Sequence, residues 1–111
     1  METTQLENPR WQPYFDRLAH MSRRQQVYVE ATGLHLGSQI ESQWLPLLGI
    51  TYDPKNDLLN VATEMVDHMI RHPARIRVQY ESDGLHNVEV TDAEGEKQII
   101  KLREPLKLPE Q

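Results

Sequence analysis

Apolar and polar residues along this chain keep two different periods, and the switch between them divides it into elements. Trp11, Tyr14, Phe15, Leu18 and Met21 recur at the spacing of one helical stripe, with Arg17, His20 and Arg24 mainly off it. Asn8 and Pro9 supply an N-cap and a first helical position. Pro13 sits where an intrahelical amide is wanted, so the helix either starts near Gln12 or opens with an irregular turn. Arg23 and Arg24 end it where the helix dipole favours cations.

From Val27 onward the period is two. Val27, Val29 and Ala31 alternate with Tyr28, Glu30 and Thr32 in a half-buried strand that stops at Gly33. Ile40, Ser42 and Trp44 alternate with Gln39, Glu41 and Gln43 in a second strand, and Pro46 and Gly49 predict a bend or bulge just after it. Tyr52 to Asp57 has turn chemistry, and Leu58 to Thr63 is the next strand. Glu64 to His72 reads as a short helical turn, with Val66, Met69 and Ile70 as its stripe and Pro73 as its end. Ile76, Val78 and Tyr80 then alternate with Arg75, Arg77 and Gln79. Turns at Ser82-Asp83-Gly84 and Asp92–Gly95 set off His86–Thr91 and Gln98–Arg103, so the last three strands form a predicted antiparallel meander.

The predicted class is α+β. An N-terminal amphipathic helix is followed by a bent antiparallel sheet, or a small partly open β-barrel, of five to six strands with one short helix inserted. The 111 residues are expected to form a single domain, with 1–8 flexible and 104–111 an extended tail held by Leu106 and Leu108. Trp11 and Trp44 are assigned to the core, because aromatic rings carry much of the burial in a small domain.

Composition narrows function mainly by exclusion. With 38% hydrophobic and 26% charged residues the chain has the balance of a folded protein. It has no apolar run of the ~18 residues that a membrane helix needs. Its polar start, Met1-Glu-Thr-Thr-Gln, lacks the apolar stretch of a signal peptide, so a cytoplasmic protein is expected. The lack of cysteine removes disulfides, thiolate nucleophiles, zinc ribbons and iron–sulfur clusters together. Twelve basic against seventeen acidic side chains give a net charge of −5, the wrong sign for a phosphate backbone.

On the short helix expected at 64–72, the spacing would place Glu64, His68 and His72 on one face, a donor set suited to zinc. His72 precedes a proline, however, and the stretch lacks the intervening glutamate of the His-Glu-x-x-His pattern. A solvated helix face explains these residues more simply, so no metal and no cofactor are assigned. Ser22, Ser38, Ser42 and Ser82 stand in no Gly-x-Ser-x-Gly context. Asp53, Asp57, Glu64 and Asp67 are explained by turn geometry and solvation, and no catalytic residue is assigned. The five glycines are isolated, which leaves no phosphate-cradling loop, and Asp92–Gly95 is a hairpin turn rather than a calcium loop.

One local feature speaks for nucleic acid. Arg75 and Arg77 face away from Ile76 and Val78, and Lys101 and Arg103 face away from Ile100 and Leu102. If those strands are neighbours, four cations share an exposed face near Tyr28, as in small barrels that bind single strands. Glu30, Glu41, Glu81 and Glu89 compete for the same outward positions, and cross-strand charge pairing is the plainer account.

Three segments carry a resemblance: Trp44-Leu-Pro-Leu-Leu-Gly-Ile-Thr-Tyr-Asp-Pro-Lys-Asn-Asp-Leu58, Asp67-His-Met-Ile-Arg-His-Pro73 and Asp92-Ala-Glu-Gly-Glu-Lys-Gln-Ile-Ile-Lys-Leu-Arg-Glu-Pro-Leu106. Together they resemble a bacterial family of short single-domain proteins described as a domain of unknown function. The resemblance spans about Val27 to Pro109 and implies a stand-alone cytoplasmic protein, with no activity or catalytic residue to carry over. Gly49-Ile-Thr-Tyr-Asp53 through Asn60 is also similar to the first motif of Sm-like barrels, which open with a helix and continue into five bent strands. The chain departs from that fold's second motif, where Val78 rather than glycine follows Arg77. The leading expectation is a non-enzymatic interaction or accessory protein that meets a protein partner, or itself, at an uncovered strand edge. The alternatives are a small nucleic-acid-binding barrel and a metal-binding protein using His68 and His72.

Overall fold

The computed structural model describes residues 2–21, 25–33 and 37–107, the Ser42 side chain apart. The expected helix closure at Arg23 and Arg24 and the anchor at Leu108 lie outside the described residues. The chain runs β1 (Glu2–Leu6), a 3-10 turn (Asn8–Arg10), α1 (Trp11–Met21), β2 (Gln26–Gly33), β3 (Gly37–Asp53), β4 (Leu58–Thr63), β5 (Asp67–Arg71), β6 (Pro73–Glu81), β7 (Gly84–Asp92) and β8 (Lys97–Leu106). The α+β class holds, and three particulars of the expectation do not. The helix is preceded by a strand, β1, where a flexible segment was expected. Among the described residues the strands number eight rather than five or six. The short helix expected at 64–72 is β5, whose burial alternates with period two.

All eight strands belong to one antiparallel sheet in the order β1-β6-β7-β8-β2-β3-β4-β5, which is not closed into a barrel. The meander of the last three strands is β6-β7-β8, as the sequence predicted. The 17-residue β3 is the hinge of the architecture. Its first part pairs with β2 and its last part with β4, with register shifts on both sides of the bend. The predicted irregularity at Pro46 and Gly49 is the shift between Leu47 and Gly49. Bulges of this kind raise local twist and let one strand serve two differently directed ladders.

Alternation puts one side chain of every pair inside. Val27 and Val29, Ile50 and Tyr52, Leu59 and Val61, Ile76 and Val78, and Val88 and Ile100 fill the interior, and Phe15 and Leu18 of α1 reach it from the helix. Pro13 is tolerated because it lies in the first turn of α1, where amides have no intrahelical acceptor. Trp11 packs edge-on against Tyr52 at 5.1 Å between ring centroids and donates its indole N–H to the Leu6 carbonyl at 2.9 Å. The Tyr14 and Tyr80 hydroxyls meet at 2.7 Å. α1 is therefore clamped between β3 and β6, strands from opposite halves of the sheet. Trp11 is core, as expected; Trp44 is only half-buried, because the bend in β3 turns it outward.

The tail expected from 104 is ladder as far as Leu106, which pairs with Leu85 and is buried. Gly84 makes this possible. Its φ is +128°, and a Cβ there would come within 2.7 Å of the Leu106 carbonyl oxygen.

Candidate functional site

Two outer regions of the sheet hold the residues that sequence reasoning singled out. The first is the outer face of β6, β7, β8 and β2. Arg75 and Arg77 lie there on β6, and Lys101 and Arg103 on β8, but β7 runs between the two pairs. Glu89 of β7 stands opposite Arg77, with its carboxylate 4.0 Å from the guanidinium. Arg75 Nε is buried without a hydrogen-bond partner among the described residues. Lys101 sits 5.3 Å above the Tyr28 ring, and Arg103 lies 5.6 Å from the Trp44 ring while donating to Gln26 at 2.7 Å. The four cations thus share a face without forming one continuous basic strip. Two are spent on aromatic rings, and a carboxylate divides the pairs.

The aromatic end of that face has one strained position. Trp44 has φ +55°, a left-handed conformation that bulky L-residues rarely adopt. Its ring packs at 5.6 Å from Tyr28. Sequence patterning assigned Trp44 to the core from residue type alone; the positive φ that redirects it leaves no mark in the alternation.

The second region is built by the end of β3, by β4 and by β5. Here the metal candidates separate. Glu64 is exposed in the β4–β5 turn, His68 points inward from β5, and His72 is exposed just beyond it with φ +53°. The helical spacing that would have put the three on one face is absent, because the segment is a strand. Among the described residues no group of three His, Asp or Glu side chains is placed to hold a metal ion. Burial holds the His68 imidazolium below the ordinary histidine range, against the opposing pull of Glu41 and Asp67.

His72 has a structural task instead. Its N–H donates to the Asp57 carbonyl at 2.8 Å, its carbonyl accepts from Ala93 at 2.9 Å, and its ring meets the Asp57 carboxylate at 3.2 Å. Asp57 also accepts from the Tyr52 hydroxyl at 2.7 Å. Burial, reinforced by that hydrogen bond, pushes Tyr52 up to about 12. Of the turn carboxylates, Asp57 is the one that ties three elements together. Asp53 organises the turn itself, accepting from the Lys55 amide at 3.0 Å and the Asn56 side chain at 2.7 Å.

What sequence reasoning missed lies around β3–β5 and the β4–β5 turn. Six large apolar side chains are exposed among the described residues, and four of them belong here: Met65 (74%), Leu48 (67%), Met69 (52%) and Val66 (44%). Leu48 stands in the β3 bulge opposite Ala62 and Thr63, the end of β4 from which Met65 and Val66 continue. Met69 pairs with Asn60 in the next row. Among the described residues β5 has a neighbour only on its β4 side. Beside its other edge a cleft of about 310 Å³ separates Met69 and Arg71 from Asp92, Glu94 and Glu96 of the β7–β8 turn. The signal for this edge was legible: Asp67, Met69 and Arg71 alternate with His68 and Ile70 at period two.

Comparison with known proteins adds relatives but no chemistry. The family model described as "Family of unknown function (DUF5335)" matches residues 2–111. An uncharacterized protein of Aquifex aeolicus (strain VF5) is 35% identical over 111 residues, covering 99% of this chain and 100% of its own length. No solved structure matches.

Proposed function

The chain belongs to the DUF5335 family of unknown function, and from its own geometry we propose that it is a non-enzymatic interaction domain that binds protein through the outer face and free edge of β3–β5. The observation that carries this reading is that Leu48, Met65, Val66 and Met69, all exposed, lie around β3–β5, whose last strand has no second neighbour among the described residues. Apolar side chains scattered singly over a surface need no explanation, but a group of four beside an unpaired edge marks a contact surface. An open edge offers main-chain hydrogen bonds for affinity, and the adjoining methionines offer an adaptable apolar surface. The site of action proposed is the cytoplasm, with which a chain lacking cysteine is compatible. No helix among the described residues is long and apolar enough to cross a membrane.

A photo-crosslinking amino acid placed at Met65 or Leu48 tests the reading in living cells. Both positions are exposed, so neither substitution should disturb the core. Discrete adducts from these sites, and none from the exposed helix position Asp16, are expected. Equal labelling at Asp16, or no adduct from the β3–β5 surface, would refute it. A second reading, single-stranded nucleic acid on the Tyr28–Trp44 face, draws on the strain at Trp44. It is weaker, since the protein's own Lys101 and Arg103 already occupy those rings.

A further inference from the structure

We propose that the partner at the free edge of β5 is a second copy of the same chain, paired antiparallel about a twofold axis at Met69. This deepens the interaction reading and rests on it. The argument begins with which backbone groups face outward. The β4–β5 ladder is bracketed by Thr63 N–H to Val66 carbonyl and by His72 N–H to Asp57 carbonyl, each 2.8 Å. With the observed register, Val61–His68 and Leu59–Ile70 are then the hydrogen-bonded pairs within it. The N–H and C=O groups of Asp67, Met69 and Arg71 consequently point at the free edge.

Antiparallel pairing of two such edges requires outward-pointing residues to meet outward-pointing residues. A twofold axis at Met69 satisfies this at every position, setting Met69 opposite its copy and Asp67 opposite Arg71, each pair exchanging both N–H···O bonds. All three side chains are exposed on the same face of the sheet. Each end of the joint would therefore bring a carboxylate opposite a guanidinium, a favourable cross-strand pair, with a methionine pair at the centre. The other edge strand, β1, carries Glu2 and no cation, so no such match arises there. A five-residue joint is small, and association in the weak, concentration-dependent class is expected.

Charge exchange supplies the test. Asp67→Arg makes the edge wholly cationic, and Arg71→Asp makes it wholly anionic. Sedimentation equilibrium on the wild type should show a mass rising toward twice that of the monomer with concentration. Each single variant should associate at least about tenfold more weakly, because like charges then face each other across the joint. An equimolar mixture of the two should recover association, as should the double variant carrying both changes. Unchanged thermal unfolding of the single variants would show that the fold is intact, and backbone N–H exchange at Met69 should slow with concentration in the wild type but in neither single variant on its own. A wild type that stays monomeric, a dimer indifferent to either substitution, or a mixture that fails to recover would each overturn the inference. Heterologous adducts from Met65 with a monomeric wild type would remove self-pairing and leave the interaction reading standing. Absence of both would remove both.

Discussion

Replacing Trp44 by glycine should harm this protein less than replacing it by alanine, the reverse of the usual order in a strand. Within regular strand, glycine is worse than alanine by roughly 0.5–1 kcal/mol, because the unfolded chain gains freedom. Trp44 is held at φ +55°, where an L-residue of either size bears a left-handed penalty of roughly 1–2 kcal/mol and glycine bears almost none. Both variants lose the same ring. Full truncation of a buried aromatic costs about 3–5 kcal/mol, and a half-buried indole with one ring neighbour and one guanidinium should cost roughly half of that. Alanine at 44 should thus destabilise by about 2 kcal/mol, and glycine by about 0.5–1 kcal/mol less than alanine. Urea unfolding resolves the difference: at a slope of roughly 1–3 kcal/mol per molar, the midpoints should separate by about 0.2–1 M, with glycine higher. Tyr28, the ring partner in regular β2, provides the control, and there alanine should be the more stable of the two. If alanine outlasts glycine at both positions, Trp44 is not held in a left-handed conformation, and the bend in β3 has been misassigned.

Further expectations follow from buried groups. Tyr14→Phe and Tyr80→Phe should each cost about 1–3 kcal/mol by stranding the other hydroxyl, while the double variant should cost less than their sum; strict additivity in urea midpoints would contradict the 2.7 Å pair. Tyr52 ionises near pH 10 in the unfolded chain but near 12 in the fold, so its contribution to stability is whole below pH 10 and lost as pH rises through that window; Tyr52→Phe should flatten the fall, the remainder coming from Tyr14, which burial shifts upward too. His68 is held below its unfolded pKa by burial, so its contribution is present above about pH 6.5 and declines as the medium is acidified from there; chemical denaturation of His68→Gln should show no such loss above the carboxylate range. Single-stranded RNA should not bind at about 0.15 M salt in fluorescence anisotropy; micromolar binding with a log–log salt slope near −3, flattened by reversing Arg75 and Arg77, would instead favour the Tyr28–Trp44 face.

Much of the fold could be read before any coordinates, because long amphipathic elements announce their period. Val27 to Gly33, Leu58 to Thr63 and Arg75 to Glu81 alternate without error, and the stripe from Trp11 to Leu18 has no rival explanation. The failures are short or long-range. β1 buries only Leu6, so Glu2–Gln5 show no alternation, and their order comes from pairing with Arg77–Tyr80 more than seventy residues away. β5 is five residues long, and Val66, Met69 and Ile70 satisfy a helical stripe about as well as Ile70 and His68 satisfy a strand. That single misreading also produced the Glu64–His68–His72 metal candidate, since the shared face existed only on a helix. For the basic face the sequence was right about orientation and silent about neighbours. Which strand lies between Arg77 and Lys101 is a matter of sheet order, and β7 with Glu89 is what divides them.

The open edge is a consequence of the corner that precedes β6. The chain leaves β5 at Arg71 and enters β6 at Pro73, so one residue must carry the whole change of direction. His72 does so at positive φ, with its N–H fixed by Asp57 and its carbonyl by Ala93. A two-residue hairpin between β5 and β6 would have laid them side by side and closed the sheet; a single fixed residue cannot, and Pro73 has no N–H to offer a ladder. β6 therefore turns away and takes β1 as its neighbour, while β5 keeps its outer amides. Short length and flanking charge are the usual defences of such an edge against indiscriminate pairing. Asp67 and Arg71 supply that defence here, in an arrangement where a strand of uniform charge loses at one end what it gains at the other, while the reversed copy of β5 is matched at both. The feature that keeps unrelated strands off β5 is thus the same one that would select a second DUF5335 chain.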